Sequence, residues 1–488
     1  MGAADVAISV RGGPPGEKVA SVKVDAVTLR DEPEPSHLDE ESRWYTEHAA
    51  LVISTTKWAI LGAAAGVCVG AATRAFLWCL AASTRWTGRL FTGAIRPYHL
   101  LPLALPACVF LIRRFAPSAR GHGTEAVIAA VHQRAGKIEW RVAPVKLLAT
   151  VLTLAAGGSV GKEGPCAQIG ASITSLFADV LRLADEDRRR LVICGIGAGF
   201  AAVFGTPVSG ALFGIEVLYL GKIEYAVLFP CLMAGLVAHL VCGGSAPVPH
   251  LHADVLTWAP APLVLLTLAF GAAFGLVALL FIETMRATEG FLRRWEAHPY
   301  IVALGGGLAL VLVYSAAGTA YAGLGTDVIE SALAGAAPVF LLGFLVKILT
   351  TTVTLETGGS GGIVTPLFFV GATTGYALAR LAGLPTGVFA AFGLVAVLAA
   401  AANTPIAAAV MGMELLPTQL GVYAALCAGT AFLMIGHRSV YASQKLGFSK
   451  SAGLDVPLDT AVGDLDRAGL RIRRGSLTER FHRFRRSR

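Results

Sequence analysis

The sequence predicts an all-α polytopic membrane protein made of two related halves with broken helices. Three observations carry that reading: a scarcity of charge, long apolar blocks, and a glycine-rich segment that occurs twice. Of the 488 residues, 55% are hydrophobic and 15% charged, and the mean hydropathy is +0.65. Water-soluble domains carry about a quarter charged residues. This chain lacks the polar surface that water demands.

The elements follow in chain order. Residues 1–48 are charged, contain Pro and Gly, and hold an acidic run at Asp39, Glu40 and Glu41. No apolar core of a cleavable signal occurs there, so they read as a cytoplasmic N-terminal tail. A membrane domain is predicted over residues 49–445. Its apolar blocks are Leu51–Ala82, Leu100–Ile112, Val142–Ala156, Leu191–Leu220 and Tyr225–Cys242, then a Pro-rich break around Pro247–Pro262. They resume at Leu263–Phe281, Ile301–Tyr321, Val339–Leu355, Gly362–Leu381 and Val388–Ile435. Several exceed the roughly 20 residues that a spanning helix needs, and others are cut by Gly and Pro. The first half is expected over about 50–243 and the second over about 262–445.

Residues 446–488 are polar and end in nine arginines between Arg467 and Arg488. Under the positive-inside rule they form a basic cytoplasmic tail. A topology signal with a disordered end explains that tail better than lipid binding does, and it is too short for a sizeable regulatory domain. Both termini are thus expected in the cytoplasm, with the chain in a plasma or inner membrane. The net charge of +8 comes largely from this tail and implies no nucleic-acid partner. The eight cysteines sit singly in or beside apolar blocks, without a CxxC pair, and the histidines are scattered. Neither a metal nor a cofactor is expected.

The repeat marks a site. Gly157-Gly158-Ser159-Val160-Gly161-Lys162-Glu163-Gly164-Pro165 aligns with Gly358-Gly359-Ser360-Gly361-Gly362-Ile363-Val364-Thr365-Pro366, with five of nine positions identical at an offset of 201. Downstream, Thr206-Pro207 and Gly214-Ile215-Glu216 match Thr404-Pro405 and Gly412-Met413-Glu414 at an offset of 198. Paired, Gly-interrupted segments in duplicated halves point to a site between the halves. Backbone leaves helical geometry at membrane depth only where it is buried or lines a cavity. Each segment reads as a break followed by a helix start, with proline in its first turn. Such a start leaves N–H groups unpaired and favours an anion. Two facing starts would hold an anion without a full cation, weakly enough to release it. A pure packing role explains the glycines but not Glu163.

Glu163 sits among apolar neighbours at the first helix start. A carboxylate at the bilayer centre costs about 2.5–3.5 kcal/mol on insertion scales, so such residues serve function. Beside unpaired N–H groups it can occupy the anion's own place, and protonation would release it. Glu163 is therefore expected to be both gate and proton carrier. A nucleotide-binding P-loop is excluded, because Glu163 stands where Ser or Thr must follow the lysine and Ala156 where glycine must open the loop.

These residues resemble the CLC family of chloride channels and anion/proton exchangers, over about residues 50–445. Gly161-Lys162-Glu163-Gly164-Pro165 is similar to the family's G(K/R)EGP signature, which carries the gating glutamate. Gly362-Ile363-Val364-Thr365-Pro366 is similar to its GxFxP element, which implies anion-binding amides at Ile363 and Val364. Tyr441 stands where the family's late tyrosine meets the anion, and Gly121-His122-Gly123-Thr124-Glu125 occupies the place of GSGIP. The resemblance implies an anion site built from His122, Gly123, Lys162, Glu163, Gly164, Gly362, Ile363, Val364, Thr365 and Tyr441. It also implies an inverted repeat, and a homodimer with one pore in each subunit.

Three departures bear on mechanism. His122 replaces a serine that touches the central anion, and either faces the anion or turns aside to cap a helix. Val217 stands where exchangers with an inner proton-relay glutamate place it. Its neighbour Glu216 has the repeat mate Glu414, which points to a shared role in ordering a helix end. Val364-Thr365 and the following run resemble the family's fluoride-exporting branch, although Pro165 departs from that branch. The expected function is transport of small inorganic anions, chloride first, gated by Glu163 and coupled to proton exchange. The alternatives are a passive chloride channel, a fluoride/proton antiporter, or a membrane protein outside transport. The last has no nucleophile–base pair or metal set to support it, and no enzyme activity is expected. The partners are halide ions, protons, the lipid bilayer and a second copy of the chain.

Overall fold

The computed structural model describes residues 40–93, 95–243, 260–337 and 341–480. Most of the N-terminal tail, most of the Pro-rich break and the last arginines lie outside the described residues. The chain divides into residues 1–54 and 55–488. Of the first unit, residues 40–54 are described, and they are helical.

The first half contains α1 (Glu40–Leu90), α2 (Leu101–Phe115), α3 (Thr124–Gln133), α4 (Val142–Ala155), α5 (Glu163–Val180), α6 (Asp185–Phe204), α7 (Pro207–Glu216), the short strand β1 (Tyr219–Leu220) and α8 (Leu228–Cys242). The second contains α9 (Pro260–Leu292), α10 (Pro299–Ala317), α11 (Thr326–Leu333), α12 (Gly343–Glu356), α13 (Val364–Leu381), α14 (Thr386–Ala402), α15 (Pro405–Leu415) and α16 (Thr418–Met434). The two series repeat element by element. Helices α4 and α12 have 14 residues each, and α5 and α13 have 18 each.

The breaks sit where the sequence places Gly and Pro. Helix α6 ends at Gly205 in left-handed geometry, and Thr206-Pro207 begins α7. Asn403 does the same work after α14, and Thr404-Pro405 begins α15. Asparagine tolerates that conformation better than most side chains. The apolar blocks Leu191–Leu220 and Val388–Ile435 are consequently chains of shorter helices.

Burial sorts the helices into inner and outer sets. Every residue of α14 from Val388 to Ala402 is buried. By contrast, Leu103 on α2, Leu265 on α9 and Leu312 on α10 are each at least two-thirds exposed. Among the described residues, five helices are long and apolar enough to cross a membrane: Trp44–Leu90, Pro97–Phe115, Tyr225–Cys242, Pro260–Trp295 and Pro299–Ala317. An apolar exterior of this kind suits hydrocarbon, which offers no water to polar backbone.

Beyond residue 445 the structure departs from the expected plain tail. Strand β2 (Lys445–Leu446) pairs in parallel with β1. Strand β3 (Leu454–Asp455) pairs antiparallel with β4 (Arg471–Ile472), and α17 (Leu465–Ala468) lies between them in sequence. Leu446, Val456, Val462 and Leu465 pack with Leu220 and Phe432. Lys450 Nζ donates to Asn403 Oδ1 at 2.7 Å and to the Phe432 carbonyl at 2.6 Å. The segment is ordered by a few widely spaced apolar anchors, which polar composition concealed.

Candidate functional site: a carboxylate seated between two broken helices

The site begins with main chain. Gly161 N–H donates to Gly362 C=O and Gly362 N–H to Gly161 C=O, both at 2.6 Å. The two glycine-rich breaks are thereby stitched to each other. Side chains extend the pairing with the same offset. Ser159 N–H donates to Thr354 Oγ1 at 3.2 Å, and Ser360 N–H to Thr153 Oγ1 at 3.0 Å. Ser159 and Thr351 hydroxyls meet at 2.9 Å, as Thr150 and Ser360 hydroxyls do at 3.2 Å.

Two buried lysines obey the same symmetry. Lys146 Nζ donates to the carbonyls of Ala119 (3.2 Å) and Gly121. Lys347 Nζ donates to those of Tyr321 (3.1 Å) and Gly323 (2.9 Å). Each ammonium holds the loop before α3 or α11, and Lys146 thus fixes the carbonyl next to His122.

Glu163 is the first residue of α5 and 1% exposed. Its Oε2 accepts Thr365 N–H at 3.1 Å, and its Oε1 accepts the Thr365 hydroxyl. The carboxylate therefore rests on the first turn of α13, where unpaired N–H groups and the helix dipole favour negative charge. Close approach favours glycine at 161: a Cβ would lie 2.4 Å from Glu163 Oε2, displacing the carboxylate, and 3.0 Å from Thr365 N. Ile363 caps the same helix and Val364 opens it, so their amides belong to the same helix end. Gly362 and Gly164 also meet there, because a Cβ on Gly362 would lie 2.7 Å from Gly164 N.

His122 and Gly123 reach the site from α3. Gly123 has φ of +88° and caps that helix, and a Cβ on it would lie 2.5 Å from the Gly164 carbonyl. The loop is thereby pressed against the first turn of α5. The His122 ring lies 5.7 Å from the ring of Tyr441. Tyr441 is fully buried. Neither the Tyr441 hydroxyl nor His122 Nδ1 has a hydrogen-bond partner among the described residues. Buried polar atoms of this kind mark a place for a ligand or water. His122 turns toward Tyr441 and makes no helix cap.

Lys162 stands apart from this cage. It lines a cavity of about 810 Å³ together with Thr84, Thr319, Thr326 and Asp327, which suits an approach to the site better than the site itself. Val217 is fully buried, and its carbonyl accepts Gln444 Nε2 at 3.0 Å. Glu216 accepts the N–H groups of Ile406 (3.0 Å) and Ala407 (2.7 Å) at the start of α15. Glu414 accepts those of Val208 (3.0 Å) and Ser209 (2.9 Å) at the start of α7. Each half's glutamate thus caps the other half's helix.

The paired lysines and threonines hold the loops and breaks around the candidate site, and they were not among the residues expected from the sequence. The signal was present, since Val145-Lys146 and Val346-Lys347 extend the 201-residue repeat upstream.

A family profile described as "Voltage gated chloride channel" matches residues 103–436. The chain belongs to that family. It is an integral membrane protein with the CLC-type inverted-repeat fold. The chain is 37% identical, over 83% of its length and 90% of the relative, to a chloride/fluoride channel protein of Pseudomonas syringae pv. tomato. It is 32% identical, over 67% of its length and 74% of the relative, to the H(+)/Cl(-) exchange transporter ClcA of Salmonella typhi. Among solved structures, a CLC-type fluoride/proton antiporter superimposes with a TM-score of 0.75 at 28% identity. That superposition covers 80% of this chain and 98% of the other.

Proposed function

We propose that the chain carries small inorganic anions across a bilayer, with Glu163 as a protonatable gate that couples anion movement to proton exchange. The observation that carries this reading is the Glu163 carboxylate seated on the first turn of α13. A carboxylate and a halide are alternative ligands for one helix end. Protonation discharges Glu163, frees the Thr365 donors, and lets an anion replace it between Ile363, Val364, Thr365 and Tyr441. The protein acts as a homodimer with both termini in the cytoplasm.

Chloride is the first reading of the cargo. Fluoride is the second, favoured by one observation: the Thr365 hydroxyl joins its own amide at the carboxylate. A small, strongly hydrated ion needs strong donors in place of its water, and a hydroxyl beside an amide supplies them. The relative from Pseudomonas syringae carries both halides in its name.

Purified protein in liposomes, with halide and pH electrodes read together, tests the proposal. Wild type moves chloride or fluoride with opposite proton movement, and Glu163→Gln abolishes the proton component while anion still passes. Fully coupled transport in Glu163→Gln refutes the gate. A wild-type reversal potential at the anion Nernst value under a proton gradient makes the chain a passive channel.

A further inference from the structure

We propose that Glu125 is a second proton-binding carboxylate of the transport cycle, loading its proton on Oε2 and exchanging it with Glu163 past the His122–Tyr441 ring pair. The proposal rests on the reading of Glu163 as a proton-coupled gate and adds a residue to it.

Glu125 lies in the first turn of α3, three residues after His122. Its two oxygens have unequal surroundings. Oε1 accepts the Ser443 N–H at 2.8 Å and also the Ser443 hydroxyl. Oε2 is closed off from solvent and makes no hydrogen bond among the described residues. A buried acceptor left unsatisfied costs about 1–3 kcal/mol, which a carboxylate fixed only as an anchor has no reason to carry. The cost vanishes if a proton or water visits that oxygen.

The asymmetry has a chemical use. Both oxygens of Glu163 take donors from Thr365, so protonating Glu163 disturbs its seat. Glu125 accepts a proton on Oε2 while Oε1 keeps both bonds to Ser443. It can load and unload without moving.

The surroundings offer a route. Ser443 is two residues past Tyr441, and Tyr441 lies within electrostatic reach of both Glu125 and Glu163. Thr124 lies beside the Tyr441 hydroxyl, and His122 Nδ1 has no hydrogen-bond partner among the described residues. Glu289, near the end of α9, acts on Glu125, and the Ala442 amide is a further backbone donor beside the same carboxylate. Lys146 of α4 acts on His122. In the step itself, an Oε2 lone pair takes a proton from hydronium arriving at the end of α9. That proton then passes through water or the Tyr441 hydroxyl to a Glu163 oxygen. Hydronium is left as water, a relaying hydroxyl gives up its own proton as it takes the incoming one, and the step ends with Glu125 ionised and Glu163 neutral and released from Thr365.

The test uses the full chain in liposomes with chloride and fluoride as probes. In Glu125→Gln, which keeps an acceptor for Ser443, the ratio of protons to anions moved falls by about a hundredfold, the low end of the effect of one proton-transfer group, and anion flux falls less. Glu125→Asp keeps an acid there and holds the ratio near wild type, which guards against a Gln variant that fails to fold. Ser443→Ala, which removes only an anchor, lowers both fluxes together and leaves the ratio unchanged. A wild-type ratio in Glu125→Gln overturns the proposal while Glu163 stands. So does a parallel fall of both fluxes in Glu125→Gln and Ser443→Ala, which would make Glu125 a structural tie. Wild-type protein that moves no protons removes the gate reading and this proposal together.

Discussion

The Glu163 carboxylate, at the start of α5, is held by Thr365 in the first turn of α13, through the Thr365 amide at 3.1 Å and the Thr365 hydroxyl. A residue of one half thus occupies a helix end of the other. The proposed gate is a contact between repeats, held by Thr365 as well as by Glu163.

Thr365→Val keeps the amide and the side-chain volume but removes the hydroxyl donor. A hydrogen bond to a charged group contributes about 1.5–3 kcal/mol, so the seated carboxylate becomes easier to displace. Anion flux at fixed pH should rise roughly tenfold, read as halide efflux from liposomes. An unchanged rate would show that the hydroxyl does not hold the gate.

Alanine at the two bridging glycines should separate function from folding. A Cβ at position 161 meets the far end of the Glu163 side chain, which can move, whereas one at 362 meets the main-chain nitrogen of Gly164, which cannot. Gly161→Ala should purify intact with altered flux and weakened proton coupling. Gly362→Ala should lose thermal stability or fail to assemble, as overpacking costs about 1–3 kcal/mol or more. Size-exclusion profiles and melting curves of the pair decide it.

The reciprocal caps should be unequal. Glu216 is 4% exposed, whereas Glu414 is exposed, and charge interactions weaken in the open. Glu216→Ala strips the α15 start of a buried acceptor and should cost about 1–3 kcal/mol; Glu414→Ala should cost clearly less. Thermal unfolding in detergent compares them, and equal losses would contradict the burial argument.

The carboxyl-terminal segment should respond to pH through Lys450. Burial pushes its ammonium down to about 6, far below its value in an unfolded chain. Between those two values the unfolded state binds more protons, so stability rises with pH from about 6 upward. The melting temperature should climb over pH 6 to 8.5, and Lys450→Met should flatten that slope. A slope unaltered by the substitution would assign it elsewhere.

Much of this arrangement was legible in the sequence because the repeat is written in backbone-determining residues. Gly161 and Gly362 could be paired from their flanking glycines alone, and the structure bonds them directly. Lys146 with Lys347 and Thr153 with Thr354 are equally legible, since the 201-residue offset continues upstream. The tie from Glu125 to Ser443 was not, since the two residues are 318 positions apart and this bond belongs to no recognised pair between the repeats. The order beyond residue 445 was hidden for a different reason: its core is six residues drawn from three distant stretches, too sparse for any local periodicity.

The bonds between Gly161 and Gly362 are made by peptide groups, so they survive side-chain change elsewhere as long as both glycines stay. A duplicated ancestor that kept this main-chain stitch could let its copies drift apart in side chains without coming undone. One copy now bears an acid and the other a hydroxyl, so the molecule is symmetric in its joints and asymmetric in its chemistry. New cargo preferences can therefore arise by rewriting residues around a fixed clasp.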